Sequence, residues 1–276
     1  MAADVVFRKM HGAGNDFVMI DDRNGRFPED RALIAAICER HRGIGGDGLI
    51  LLRRSEIAEF RMSYFNSDGR EAAMCGNGAR CAARFALDIG AAGTHMRFET
   101  AAGPVEAEID DGTVSVAVSP VTGLRVGIEI PGAGSGIGFA DSGVPHAALF
   151  VDDVRALDRG TFLRTARMIR TFAGFGRAGA NADLVTVTGP RTLVYRTFER
   201  GVEDETLACG TGAIAVSVIA GSLGLVSPPV SCETSGGDVL TVSFEPVPGG
   251  ASSVVLSGPA VTSFTGSFDP SLLMPS

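Results

Sequence analysis

The sequence predicts an α/β (α+β) fold of two pseudo-symmetric domains, each a barrel-like, strand-rich unit around a central helix. Three observations lead there. The first is an internal repeat: Cys75-Gly-Asn-Gly-Ala recurs as Cys209-Gly-Thr-Gly-Ala, 134 residues later, and Glu99-Thr-Ala-Ala-Gly recurs as Glu233-Thr-Ser-Gly-Gly at the same offset. Gly46-Asp-Gly-Leu-Ile resembles Asn181-Ala-Asp-Leu-Val at nearly that spacing, and three matches in register argue for a duplicated half-chain unit. The second is the prevalence of alternating and β-branched runs. The third is an apolar run of helical character after each Cys-Gly-x-Gly-Ala. A chain of 276 residues suits two domains.

Taken in order, Val5–Met10, Asp16–Asp21, Gly48–Arg53, Phe60–Asn66 and Met96–Thr100 read as strands. Residues 31–41 carry apolar side chains at Leu33, Ile34, Ile37 and Cys38, followed by Gly43, the pattern of a helix with a glycine stop. Val105–Ile109 and Thr113–Val118 flank Asp111-Gly112, a hairpin signal. Phe162–Phe172 reads as a helix, as do Ala79–Leu87 and Ala213–Leu223. Gly132–Gly138 reads as a flexible connection and the seam falls near Pro120–Gly123. The expected domains are therefore 1–121 and 122–263.

Composition narrows the function. Acidic residues outnumber basic ones, 32 to 24, and the net charge is −8. With no Lys/Arg block, nucleic acid is not an expected partner, because such binding runs on phosphate neutralisation. The uncharged stretch Thr206–Cys232 is broken by glycines and prolines into less than the roughly 20 residues a membrane span needs, so no membrane role is expected. The start lacks the apolar core of a signal peptide, which implies a soluble, cytoplasmic protein. Five cysteines, an odd number, and no CxxC pair argue against a disulfide framework and a structural zinc site. Lys9 is the only lysine, which disfavours a Schiff-base cofactor. Gly43-Ile-Gly-Gly-Asp-Gly48 spells GxGxxG, but it follows a helix and precedes a strand, the reverse of a dinucleotide turn.

The two repeated cysteines carry the chemistry. Each should sit at a helix N-terminus, where unpaired amides and the helix dipole lower a thiol pKa and bind a carboxylate. The adjacent glycines would let the backbone approach a ligand closely. Two such termini facing one another would present one thiol to each face of the carbon beside that carboxylate. One thiolate could then remove a proton while the opposing thiol delivers one, which inverts a stereocentre. Cys38 and Cys81 fall on helix faces and read as core residues, Cys232 as a strand residue, and Glu203-Asp-Glu205 as a solvated acidic cluster.

The chain also resembles a known family, diaminopimelate epimerase. The resemblance rests on Lys9-Met-His-Gly-Ala-Gly-Asn-Asp-Phe17, Arg42-Gly-Ile-Gly-Gly-Asp-Gly48, Phe65-Asn-Ser-Asp-Gly69, Met74-Cys-Gly-Asn-Gly-Ala-Arg-Cys81, Gly143-Val-Pro-His146, Gly179-Ala-Asn181, the run from Phe198 to Gly212 and Gly258-Pro-Ala-Val261. It implies that Cys75 and Cys209 are the acid/base pair and that His146 and Glu199 tune the thiols. Gly76, Asn77, Gly210 and Thr211 would supply amides to the carboxylate at the reacting centre, and Glu199 would bind the α-ammonium. Asn15, Asn66, Asn181 and Arg200 would hold the substrate's polar groups, Arg200 suiting the distal carboxylate. No metal or cofactor is implied. The resemblance further implies a homodimer, with Phe264 where some members have Tyr, and a C-terminal segment, 264–276, that returns to the first domain. Many members carry Asn in place of Val144 and some carry Gln in place of Gly48, which bears on the substrate. Two rivals remain open at this point: a racemase or isomerase of another small amino or unsaturated acid, and a metal- or redox-responsive thiol module.

Overall fold

The computed structural model describes residues 4–273. Residues 1–3, the head of the first expected domain, and 274–276, the tail of the expected return segment, lie outside the described residues. The chain forms two compact units: one runs up to Val116 and resumes at Gly258, the other is Ala117–Ser257.

In the first unit, β1 (Val5–Gly12) and β2 (Asn15–Asp21) form a hairpin. Its two-residue turn places Ala13 and Gly14 at φ +55° and +83°, the left-handed pair that matches strand twist. Helix α1 (Arg31–Cys38) follows, capped by the Asp30 carboxylate on the Leu33 amide. Then come β3 (Gly48–Arg53), β4 (Phe60–Asn66), β5 (Glu71–Ala72), the central helix α2 (Gly76–Asp88), β6 (His95–Thr100), β7 (Gly103–Asp110) and β8 (Thr113–Ala117). β2 and β3 run parallel, β3 and β4 antiparallel, β4 and β6 parallel, and β6, β7 and β8 antiparallel.

The second unit repeats this scheme. It contains β9 (Thr122–Ile130), β10 (Gly134–Asp141), β11 (Pro145–Phe150), α3 (Arg159–Arg170), β12 (Asn181–Gly189) and β13 (Thr192–Glu199). After these come β14 (Asp204–Thr206), the central helix α4 (Gly210–Ser222), β15 (Val230–Glu233), β16 (Val239–Val247) and β17 (Gly250–Gly258). The relations are the same: β11 parallel to β12, β12 antiparallel to β13, β13 parallel to β15, and β15, β16 and β17 antiparallel. Strand β18 (Val261–Phe268) pairs antiparallel with β1 in the first unit, as β9 does with β10 in the second. Helices α2 and α4 are each 13 residues long and start at the same point of the repeat.

Four local expectations are corrected. The domain boundary falls earlier than 121/122, because the Val118 amide donates to Val254 and Val121 exchanges both backbone bonds with Ala251. Those bonds tie residues 117–121 to the second unit. The return to the first unit begins at Gly258 rather than 264, since β18 pairs with β1 from Val261 onward. Helix α1 ends at Cys38, because Glu39 turns extended; Gly43 serves close packing, as a Cβ there would lie 2.1 Å from the Ala36 carbonyl oxygen. Gly134, Gly136 and Gly138 lie in strand β10 rather than in a flexible connection, and Gly132 in the turn before it. At Gly138 a Cβ would lie 2.2 Å from Ile219 Cγ2 of α4, so the helix can pack there only on glycine.

The Thr206–Cys232 stretch holds α4, whose residues from Gly212 to Ala220 are buried; among the described residues no helix is long and apolar enough to cross a membrane. Each unit has its own apolar core. In the first, Phe7, Val18, Leu33, Ile37, Leu49 and Leu51 cluster; in the second, Ile137, Phe162, Ile169, Leu184 and Phe198 do. Phe60 and Phe98 are register partners on β4 and β6 and stack at 4.7 Å. Both are fully buried. Phe60→Ala should therefore cost about 3–5 kcal/mol of stability, seen as a lower denaturant midpoint; a midpoint like the wild type's would show that the stack contributes nothing.

Candidate functional site

Both repeated cysteines are N-caps. Cys75 has φ −142° and ψ 121°, Cys209 φ −129° and ψ 108°. The extended backbone turns the chain into the helix while leaving first-turn amides without intrahelical partners. The second glycine of each motif is needed for packing on strands rather than for a ligand. A Cβ on Gly78 would lie 2.9 Å from Ile50 Cδ1, and one on Gly212 3.1 Å from both Asp183 Oδ1 and Thr197 Oγ1.

Around Cys75 the groups are amides. The Gly78 amide donates to its sulfur at 3.5 Å, and the sulfur lies 3.5 Å from Asn15 Oδ1. Partners fix the amide orientations. Arg80, fully buried, donates to Asn77 Oδ1 at 2.9 Å. Asn77 Nδ2 therefore points to Asn15 Oδ1 at 3.3 Å, and Asn15 Nδ2 donates to Asp47 Oδ2 at 2.7 Å. Behind Asp47 stands a charged network. Arg40 bridges Asp16 and Asp47 at 2.7 and 2.8 Å, and Lys9 pairs with Asp16 at 2.6 Å and donates to the Gly45 carbonyl. Burial would raise the Asp16 carboxyl, but hydrogen bonds from Arg40 and Lys9 outweigh it and hold the group far below the usual carboxylate range. Asn66, at the end of β4, is exposed and accepts from the Tyr64 hydroxyl at 2.9 Å.

Around Cys209 stand a histidine and carboxylates as well as neutral polar groups. His146, fully buried on β11, has Nδ1 2.8 Å from Asp183 Oδ2 and Nε2 3.0 Å from Thr211 Oγ1. Its Nε2 lies 4.0 Å from the Cys209 sulfur, which is 3.4 Å from Thr211 Oγ1. Asn181 Oδ1 accepts from the Arg200 amide at 2.8 Å, and its Nδ2 is 3.0 Å from His146 Nε2. Thr206 donates to Glu199 at 2.6 Å, and Tyr195 donates to the Cys209 carbonyl at 2.8 Å. Burial raises the Glu199 carboxyl. The helix terminus does not lower the Cys209 thiol as expected: burial, then the charges of Glu199 and Asp183, push it well above its ordinary value. Cys38, Cys81 and Cys232 are pushed up to about 12 by burial and are inert core thiols.

The sequence reading missed Arg80, Asp47 and Asp183. Arg80 lies inside a quoted motif, and Asp183 inside the repeat match starting at Asn181; their role depends on partners remote in sequence. Glu203, Asp204 and Glu205 are not merely solvated. They pair with Arg170, Arg159 and Arg196 at 2.7 Å each, and Asp204 and Glu205 lie in strand β14.

A family model described as diaminopimelate epimerase matches residues 7–122 and 138–262. The chain belongs to the diaminopimelate epimerase family. A diaminopimelate epimerase of Chlorobaculum tepidum is 42% identical over 93% of this chain and 98% of its own. That of Archaeoglobus fulgidus is 41% identical over 91% and 94%. Solved structures share the fold at low identity. A phenazine biosynthesis protein of the PhzF family from Bacillus anthracis has TM-score 0.73 at 14% identity, covering 97% of this chain and 99% of its own. A hydroxyproline epimerase from Agrobacterium vitis has 0.71 at 18%, covering 99% and 95%.

Against the diaminopimelate epimerase family's expected pattern, Gly48 is a steric departure. A Cβ there would lie 2.4 Å from the Phe65 carbonyl oxygen and 2.7 Å from the Tyr64 ring, so no longer side chain fits without moving β4. Val144 has no polar side-chain atom, and its carbonyl accepts from the Ser142 amide at 3.2 Å.

The Asp16 network that holds Asn15 gives a signed pH prediction. A carboxyl depressed in the folded state stabilises fully above its unfolded value near ~4 and loses that contribution as pH falls below it. Asp16→Asn should unfold at lower denaturant near neutrality, with the gap from wild type narrowing in acid; a gap that widens in acid would contradict the network.

Proposed function

We propose that this chain is an isomerase that interconverts LL- and meso-2,6-diaminoheptanedioate by a two-base thiolate/thiol mechanism, in lysine and peptidoglycan precursor synthesis. The observation that carries the reading is the repeated N-cap cysteine, one per duplicated unit, within a chain of this family. No external cofactor is needed, since the thiols supply both base and acid. One thiolate takes the α-proton, so an S–H bond forms as the C–H bond breaks. The opposing thiol gives its proton to the other face of the same carbon and becomes thiolate. The centre inverts, and the protonation states of the two sulfurs are exchanged.

First-turn amides of Gly76 and Asn77, and of Gly210 and Thr211, stabilise charge developing on the α-carboxylate. Glu199 receives the α-ammonium. Arg200 takes the distal carboxylate as a bidentate partner; among the described residues its guanidinium makes no hydrogen bond or ion pair. Asn15, Asn66 and Asn181 border the substrate, with Asn15 and Asn181 already oriented by protein partners. By the same likeness we assign a cytoplasmic homodimer, its contact including Phe264, which is half exposed on β18. The second reading, a racemase of another small amino acid, is favoured by the shared fold of a hydroxyproline epimerase. A panel of single amino acids, proline and hydroxyproline included, separates the two.

Turnover of LL-diaminopimelate in deuterium oxide should place solvent deuterium at the inverted α-carbon; inverted product that keeps its original hydrogen would refute the scheme. Cys75→Ser and Cys209→Ser should each lower kcat by about 10²–10⁴-fold with circular dichroism unchanged. Wild-type turnover in either variant would show that its thiol is not an essential base.

A further inference from the structure

The hydrogen bonds behind Cys209 have a direction, and it can be read from one end. The Arg200 amide is a donor, so Asn181 Oδ1 must accept it, at 2.8 Å. That fixes the Asn181 side chain with its NH₂ toward His146 Nε2 at 3.0 Å. Two donors cannot face one another, so Nε2 carries the lone pair and the ring proton is on Nδ1. There it meets Asp183 Oδ2 at 2.8 Å. The other oxygen, Oδ1, accepts the Thr197 hydroxyl at 2.6 Å, so both carboxylate oxygens are used as acceptors. Asp183 and His146 are wholly inaccessible to solvent, and water cannot reorient them. With Nε2 as acceptor, its one lone pair is shared between the Asn181 NH₂ and the Thr211 hydroxyl, which donates at 3.0 Å. Its oxygen lone pairs are then free for the Cys209 S–H, 3.4 Å away.

We propose that Asp183 is a positioning residue that, with Asn181 on the other side of the ring, holds His146 as its Nδ1–H tautomer, so that the Thr211 hydroxyl accepts a hydrogen bond from the Cys209 S–H and Cys209 begins the reaction as the proton-carrying thiol. The inference rests on the two-thiol reading above and deepens it, since it says which sulfur gives a proton first. The charged and titratable groups facing Cys209 agree with that state: Glu199 and Asp183 are acidic, and the Tyr195 hydroxyl is spent on the Cys209 carbonyl. Cys75 makes hydrogen bonds of another kind. Its sulfur faces Asn15 and the Gly78 amide, and no histidine is among those neighbours. The duplicated scaffold therefore presents two thiols in different hydrogen-bonding settings.

Nitrogen-15 NMR of histidine-labelled protein tests this without turnover. The chain has four histidines, and a His146→Gln sample assigns the His146 signals. The expected result near neutrality is a pyrrole-type Nδ1 and a pyridine-type Nε2. A pyrrole-type Nε2, or two protonated nitrogens, would overturn the proposal, and this measurement needs no variant of Asp183 to fold. In Asp183→Asn the side-chain NH₂ can face Nδ1 while Asn181 still faces Nε2, so the Nδ1–H form loses its anchor and an Nε2–H population should appear. Thr211 then turns its hydroxyl toward sulfur. In a Cys75→Ser background, thiolate ultraviolet absorbance of Cys209 should appear at lower pH in that variant than without it. Turnover of the single variant Asp183→Asn should fall about 10–100-fold, the usual loss when an orienting partner is removed, mostly in kcat. An unchanged tautomer and unchanged thiol titration in a folded Asp183→Asn protein would also overturn the proposal. If the wild-type tautomer is as expected but no amino acid is epimerised, the positioning role stands and the isomerase reading fails.

Discussion

The structure depends on burying the start of a helix against strands. A helix N-terminus ends in amides that have no partner within the helix, and each unit closes that turn with a cysteine in extended conformation rather than with a stronger oxygen cap. Ser, Asp or Asn would satisfy the amides better. At Cys75 the sulfur takes only the Gly78 amide, at 3.5 Å, and in both units it places a titratable atom at the helix start. The arrangement holds only because the helix lies close to its strands, and closeness requires Gly78 on Ile50 and Met62 and Gly212 on Asp183 and Thr197.

Duplication preserved that scaffold and let the surroundings of the two sulfurs diverge. The strand relations of the first unit recur in the second, pair by pair. Yet position three of the motif is Asn77 in one and Thr211 in the other. Asn77 joins a run of amides from Arg80 through Asn15 to Asp47. Thr211 joins a histidine and, through it, a carboxylate. The surroundings of the two sulfurs are chemically distinct.

Buried polar groups set the rigidity of both sites. Asp183, His146 and Arg80 are inaccessible, and Lys9 nearly so. Leaving one such group unpaired costs several kcal/mol, so partners hold each in a single orientation. His146 is held from three sides, and the Asn15 amide is pinned by Asp47. Preorganisation of this kind lets an amide or a thiol act without rearrangement when charge develops.

Much of this was legible in the residues alone, because it depends on local pattern. The repeat set the number of units, the alternating runs gave most strands of the first half, and Cys-Gly-x-Gly-Ala located both helix starts. The core roles of Cys38 and Cys81 followed from periodicity. Contacts remote in sequence decided the rest. Glycines at 132–138 read as a flexible connection until α4 is seen to press on Gly138. The seam moved to Val116 because of hydrogen bonds to Val254 and Ala251. The thiol of Cys209 rises rather than falls because burial, and after it the charges of Glu199 and Asp183 brought in by neighbouring strands, outweigh the helix terminus. Spacing along the chain fixes which residue begins a helix; only folding fixes which charges surround it, since the strength of a charge depends on distance and on the water that packing removes.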